Sequence, residues 1–200
     1  MSIVISADEI KKGLPEYSPD KAEQFHREST KRADIAFEST LKQSRLDEVI
    51  LLCGGAASGK TEFLETHLIN RECIIFDATL STLEAAKNKI SKARKSRKKI
   101  VIYGVIPDDL KRAFLAFLNR DRKFKDTHFY RTHAGSRGTL LFIAKSYDDV
   151  EVNIIESSYT TNQKFQFNRY LFENKQQLID FLTNLQMTED DIISQLENKL

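Results

Sequence analysis

Apolar residues arrive along this chain in short, dense blocks, and the blocks follow two periods. Residues 49–53 (VILLC), 73–79 (CIIFDAT) and 99–106 (KIVIYGVI) are nearly continuous apolar runs of strand length, the pattern of strands covered on both faces. Residues 2–6 (SIVIS), 152–157 (VNIIES) and 164–172 read as further strands. Between them apolar positions recur at steps of three and four, the period of a helix with one buried face. Ala22, Phe25, Ala33, Ala36, Phe37 and Leu41 mark one such helix, expected to start at Ser18 as N-cap with Pro19 in the first turn. Residues 63–69 (FLETHLI) form the next. Leu83, Ala86, Ile90 and Ala93 follow the capping-box pair Ser81 and Glu84. Leu110, Ala113, Phe114, Phe117 and Leu118 follow Asp108 or Asp109. Residues 120–137, dense in arginine and histidine, read as a polar loop, with helices predicted at 137–145 and 175–185 and a short acidic closing helix in the tail, 187–200.

Strands alternating with helices predict an α/β fold with a mostly parallel sheet of five or more strands. In such a sheet the C-terminal strand ends share one edge, and ligands bind there. That edge selects Asp8, residues 54–61, Asp77, residues 104–107 and Glu156 as the groups to weigh.

The run 49–53 ends in GGAASGKT, where Gly54, Gly59, Lys60 and Thr61 fill the G-x-x-x-x-G-K-[ST] pattern of a phosphate-binding loop. Glycines let consecutive backbone N–H groups turn toward phosphate oxygens, and the helix that follows points its positive end at the same anion. Gly54, Gly55, Ala56, Ala57, Ser58, Gly59, Lys60 and Thr61 are therefore the candidate ATP contacts. Lys60 is expected at the β- and γ-phosphates and Thr61 on Mg²⁺, with Asp77 as a further magnesium group. The alternative is an ordinary glycine-rich strand-to-helix turn.

Composition narrows this picture modestly. The chain has 200 residues, 40% hydrophobic and 30% charged, with three prolines, enough for one domain with a real core. A net charge of +2 gives no argument for a nucleic-acid partner. The basic stretch Lys87, Lys89, Lys92, Arg94, Lys95, Arg97, Lys98 and Lys99 has no interleaved aromatics and reads as a solvated helix face. Cys53 and Cys73 sit inside apolar runs and read as reduced core residues. With no leader pattern and no bilayer-length apolar run, the expectation is a cytoplasmic protein without a membrane partner.

Phosphoryl transfer needs a phosphate cradle, Mg²⁺, a carboxylate near the acceptor hydroxyl, and cations that neutralise the moving charge. Asp8 and Asp77 supply strand-end carboxylates, and Arg120, Arg122, Arg131 and Arg137 read as a cationic lid. His128 and His133 read as surface or hydrogen-bonded residues rather than catalysts.

Four stretches together resemble the zeta-toxin-type P-loop kinases, which phosphorylate sugar-nucleotides such as UDP-N-acetylglucosamine. They are the loop GGAASGKT; ISADEIKKGLPEY with the following FHRESTKRADIAFESTL, similar to the family's D-x-D-x-x-K-x-x-x-P segment and helix; IIFDAT; and VIYGVIPDDLKRAFLAFLNR. NIIESS stands where the family has its final strand. The order is permuted, because the Asp/Lys/Pro segment precedes the loop strand here and follows it in the family. Ser6 replaces the first acid of the D-x-D pair, and Ala78 replaces the glycine of the third stretch.

The resemblance implies a P-loop NTPase/kinase-like three-layer sandwich in one domain. Residues 1–43 would carry the Asp/Lys/Pro segment, 44–158 the loop core, and 159–200 a C-terminal extension. It also implies ATP and Mg²⁺ as cofactors, a small-molecule acceptor, and room for an antitoxin protein as partner. Asp8 matches the general base, Lys60 and Thr61 the phosphate lysine and metal ligand, and Arg120 and Arg131 the phosphate-clamping arginines. Lys11, Asp77 and Thr79 match substrate-side groups. Two other readings stay open on the residues. One is a kinase of nucleotides or polynucleotide ends; the other is a nucleotide-binding regulatory module that transfers nothing.

Overall fold

In the computed structural model, which describes residues 1–160, 162 and 164–197, the apolar run at residues 49–53 lies within a six-stranded sheet. This strand, β2 (Glu48–Cys53), pairs in parallel with β3 (Ile74–Asp77) on one side and β4 (Lys99–Pro107) on the other. Outward from these lie β1 (Ile3–Ser6) beside β3, β5 (Val150–Tyr159) beside β4, and β6 (Phe165–Tyr170) beside β5. Among the described residues the β5–β6 pair alone is antiparallel. The chain is therefore an α/β fold with a mostly parallel mixed sheet, flanked by helices, as the alternating periods predict.

The continuous apolar character of β2 follows from its two covered faces. Val49, Leu51 and Cys53 join a core with Phe37 and Leu41 of α2 (His26–Gln43), Ile90 of α4 (Leu83–Lys95), Leu140 and Ile143 of α6 (Asp126–Ser146), and Leu178 and Leu182 of α7 (Lys175–Asn184). Ile50 and Leu52 belong to a second core with Phe63 at the end of α3 (Lys60–Phe63) and with Leu64 and Leu68 of the single π-turn that follows it. A third cluster lies under the turn after β2. There Ala56 meets Leu110, Ala113 and Phe117 of α5 (Leu110–Leu118), Phe129 of α6, and Ile192 and Leu196 of α8 (Glu189–Glu197).

Four expectations need correction. Pro19–Lys21 forms a 3₁₀ turn and no more, so α2 begins at His26 and not at Ser18. The cap of α4 is Thr82, whose hydroxyl accepts from the Ala85 N–H, rather than Ser81. Residues 120–137 are not a loop throughout, because α6 starts at Asp126 and contains His128, Arg131, His133 and Arg137. Finally, Asp8, the carboxylate expected at the end of β1, sits two residues on, in the first turn of α1 (Ala7–Lys12). Residues 198–200 of the expected closing helix lie outside the described residues.

Half of the basic stretch that runs from α4 to the start of β4 is ion-paired within the fold. Lys89 pairs with Asp34, Lys92 with Glu38, Arg94 with Asp149, and Lys99 with Glu48 and Glu151. Cys53 and Cys73 are buried and free, and burial pushes their thiols up to about 12 and about 11. Among the described residues no helix is long and apolar enough to cross a membrane.

Candidate functional site

The turn at residues 54–61, the glycine loop, leaves β2 through two positions that only glycine fits. Gly54 has φ +152°, and a Cβ there would stand 2.2 Å from the Val105 carbonyl oxygen. At Gly55 a Cβ would fall 2.2 Å from the His133 ring. Gly59, at φ +84°, supplies the left-handed step into α3. Ala57 also takes a positive φ, 59°, at a cost of about 1 kcal/mol for a residue with a Cβ.

Buried side chains hold this loop from beneath. The Ala56 N–H donates to the Thr132 hydroxyl at 3.0 Å, and His133 Nε2 donates to the Ala56 carbonyl at 2.8 Å. From β5, the Ser157 hydroxyl donates to the Ser58 carbonyl at 2.8 Å. Burial, reinforced by the Arg137 charge, holds His133 well below the ordinary histidine range. Its neutral ring therefore carries the proton on Nε2, leaving Nδ1 to face an Arg137 nitrogen at 3.3 Å. Thr132, His133 and Ser157 were not among the residues the sequence singled out for the loop. Their signal was available: Phe129, His133, Ser136, Leu140 and Ile143 repeat at steps of four and three, a helix face obscured by the charged residues between them.

Charge gathers on the open side of the loop. Lys60 Nζ turns back to donate to the carbonyls of Gly54 (2.9 Å) and Gly55 (2.7 Å) and to the Ser58 hydroxyl (3.3 Å). Burial pushes its ammonium down to about 8, against the pull of Asp77. Arg120 is lowered by burial and then by the nearby Arg122 charge. Among the described residues neither Lys60 nor Arg120 forms an ion pair.

The carboxylates are placed differently. Asp8 is ion-paired with Arg122 and, at 3.3 Å, with the fully buried Lys11. Burial pushes the Asp8 carboxyl up, but these two cations outweigh it and hold it at about 2. Asp77, opposite Ser6 in the β1–β3 register, accepts from the Ser6 hydroxyl at 3.4 Å, and burial raises its carboxyl. A serine at position 6 thus gives Asp77 a hydrogen-bond donor where an acid would add a second negative charge.

These groups line one cavity of about 340 Å³ at the C-terminal ends of β1, β2 and β3. Asp8, Ala56, Ala57, Ser58, Gly59, Lys60, Thr61, Asp77, Thr79 and Arg120 all face it. Gly54 and Gly55 are buried behind it, and Lys11 lies under Asp8, 5.0 Å from the Phe124 ring centre. Arg131 does not join the site. It is exposed on α6, and Arg122 instead stands with Arg120 in the cavity wall. Arg137 is buried against His133 and is no part of a lid. His128 does face the cavity, stacked 4.5 Å from Phe124, and burial pushes it down to about 4. Glu156 is turned away, accepting from the Tyr170 hydroxyl at 2.5 Å.

The donor set fits an anion with a small hard cation. Two enclosed cations without carboxylate partners suit phosphate oxygens, and Thr61 and Asp77 offer oxygen ligands of the kind Mg²⁺ takes beside a phosphate. Among the described residues no group of three His, Cys, Asp or Glu side chains is placed to hold a metal ion by itself. No protein-family model matches the chain, and comparison with curated protein sequences finds no match.

Proposed function

We propose that this chain is an ATP- and Mg²⁺-dependent kinase with the P-loop NTPase fold, of the zeta-toxin type, that phosphorylates a hydroxyl on a small molecule. The observation that carries the reading is the company Asp8 keeps: an ionised carboxylate sharing one cavity with Lys60 and Arg120, two cations that form no ion pair among the described residues. The sheet order supports the permuted arrangement. β1, with Asp8 just beyond it, lies beside β3, which lies beside the loop strand β2, so the three strand ends meet although β1 comes first in the chain.

ATP with Mg²⁺ would supply the transferable phosphoryl group at the loop. Lys60 and Arg120 would neutralise charge on phosphate oxygens, with Thr61 and Asp77 holding the metal. Asp8 would orient the acceptor hydroxyl and accept its proton. Held at about 2, it is a weak base, and a loose transition state asks more of it as an orienting group than as a strong proton acceptor. The ion pairs of α4 and of Lys99 at the start of β4 favour neither a nucleic-acid surface nor a polynucleotide acceptor. A UDP-sugar remains the acceptor that the family resemblance suggests.

The test is transfer of label from ATP to a panel of nucleotide-sugars, nucleosides and sugars. Lys60→Ala should abolish transfer. Asp8→Asn should lower kcat by about a hundredfold or more and leave the KM for ATP unchanged. Full turnover in Asp8→Asn would assign the base elsewhere, and release of free phosphate alone would favour the regulatory module.

A further inference from the structure

The cavity continues past the loop into a part that phosphate chemistry does not use. There α2 presents Thr30 and Asp34, and α4 presents Thr82 and Lys89. Thr30 and Asp34 are four residues apart and so share a helix face.

Lys89 is 3% exposed, yet its ammonium reaches Asp34 Oδ1 at 2.5 Å. It also sits 4.7 Å from the Phe76 ring centre and 5.7 Å from that of Phe37. An ammonium fixed between a carboxylate and two aromatic faces has little freedom, so it pins the Asp34 side chain in turn. Asp34 remains 40% exposed, and among the described residues its second oxygen has no hydrogen-bond partner. The hydroxyl of Thr82 accepts from the Ala85 N–H and still has its own proton to donate.

We infer that this α2–α4 end of the cavity is the acceptor-recognition subsite, that Asp34 accepts hydrogen bonds from an uncharged, hydroxyl-bearing part of the acceptor, and that Lys89 is the residue positioning Asp34. The inference rests on the kinase reading above for the word acceptor, but the subsite has its own binding chemistry. Its one lysine is committed to Asp34, and burial lowers His26, the neighbouring histidine, below its ordinary value. A phosphate or carboxylate placed here would meet the Asp34 charge, and the cation that α4 presents beside it, Lys89, is already paired. The enclosed volume, about 340 Å³ for the whole cavity, lies at the low end for small-ligand sites, so the recognised part is compact.

The experiment measures binding of glucose, N-acetylglucosamine and uridine to the ADP-loaded protein, each against its phosphate monoester, with ATP-label transfer assayed in parallel. Asp34→Asn should weaken the best uncharged probe about tenfold, as loss of a hydrogen bond to a charged group predicts, and leave ADP affinity unchanged. That variant leaves Lys89 buried without its carboxylate and will lower the melting temperature. Asp34→Asn/Lys89→Met removes both charges, should recover the fold, and should still bind the probe weakly. In transfer assays the Asp34 variants should raise acceptor KM more than they lower kcat.

The inference is overturned if the monoesters bind as well as the uncharged compounds, if none of the probes binds, or if the folded double variant binds like the wild type. Asp34-dependent binding without any label transfer would instead defeat the kinase reading and leave the subsite standing.

Discussion

The two walls of the cavity are built by opposite means. The glycine loop is fixed from below by buried, largely neutral contacts: Gly55 against the His133 ring, His133 and Thr132 on Ala56, and Ser157 on Ser58. The Asp8 wall is fixed from the side by charge, through Arg122 and Lys11. A steric and hydrogen-bonded floor has one low-energy arrangement, whereas a half-exposed ion pair can exchange partners at little cost. The loop backbone is therefore the rigid wall, and the Asp8–Arg122 pair is the part free to rearrange.

The largest test of this contrast is Gly55→Ala. Its methyl would occupy the place of the His133 ring, an overpacking that costs about 3 kcal/mol or more, read as a fall in melting temperature. Adding His133→Ala should relieve part of the loss, and strictly additive effects would mean the two do not interlock. Next comes Ser157→Ala, which leaves the buried Ser58 carbonyl without that donor and should cost about 1–2 kcal/mol in denaturant unfolding. No change would remove β5 from the support of the loop.

The smallest stability effect belongs to Arg122→Ala, under about 1 kcal/mol at pH 7, because both partners are partly exposed and solvent screens them. The same variant should raise the Asp8 carboxyl from about 2 toward its ordinary 3.8, measurable by NMR titration. A depressed carboxyl stabilises the fold above its unfolded value and loses that contribution as pH falls through the folded one. The stability gap between wild type and Arg122→Ala should accordingly be present at pH 7 and close between about pH 4 and pH 2. A gap that persists below pH 2 would mean Arg122 acts by packing rather than charge.

The same contrast governs how much could be read from the sequence. The loop declares itself in local terms, as an apolar strand followed by glycines at fixed spacing, and the strands β2, β3 and β4 do so as runs covered on both faces. What props the loop up does not. Thr132 and His133 come from a helix about seventy-five residues away, whose buried face mixes Thr132, His133, Ser136 and Arg137 with its apolar residues and so lacks a clean apolar period. Likewise the choice of Arg122 over Arg131 depends on where the chain turns between α5 and α6, a tertiary matter that spacing alone cannot carry. Proline at position 19 suggested a helix start, but it opens a single 3₁₀ turn, since a favourable first residue cannot prolong a helix that the following residues do not support.

The place of β1 in the sheet also bears on how the protein is made. Ser6 and Asp77, joined across the β1–β3 pair, stand 71 positions apart, and among the described residues β1 pairs with β3 alone. At translation rates of about 5–20 residues per second, β1 leaves the ribosome on the order of 4–14 s before the strand it docks on. During that interval the arm bearing Asp8 can pack on α2, but the strand that pairs with β1 has not yet been made. The acidic half of the cavity is thus translated first and seated late, after the glycine loop that it faces has already been synthesised.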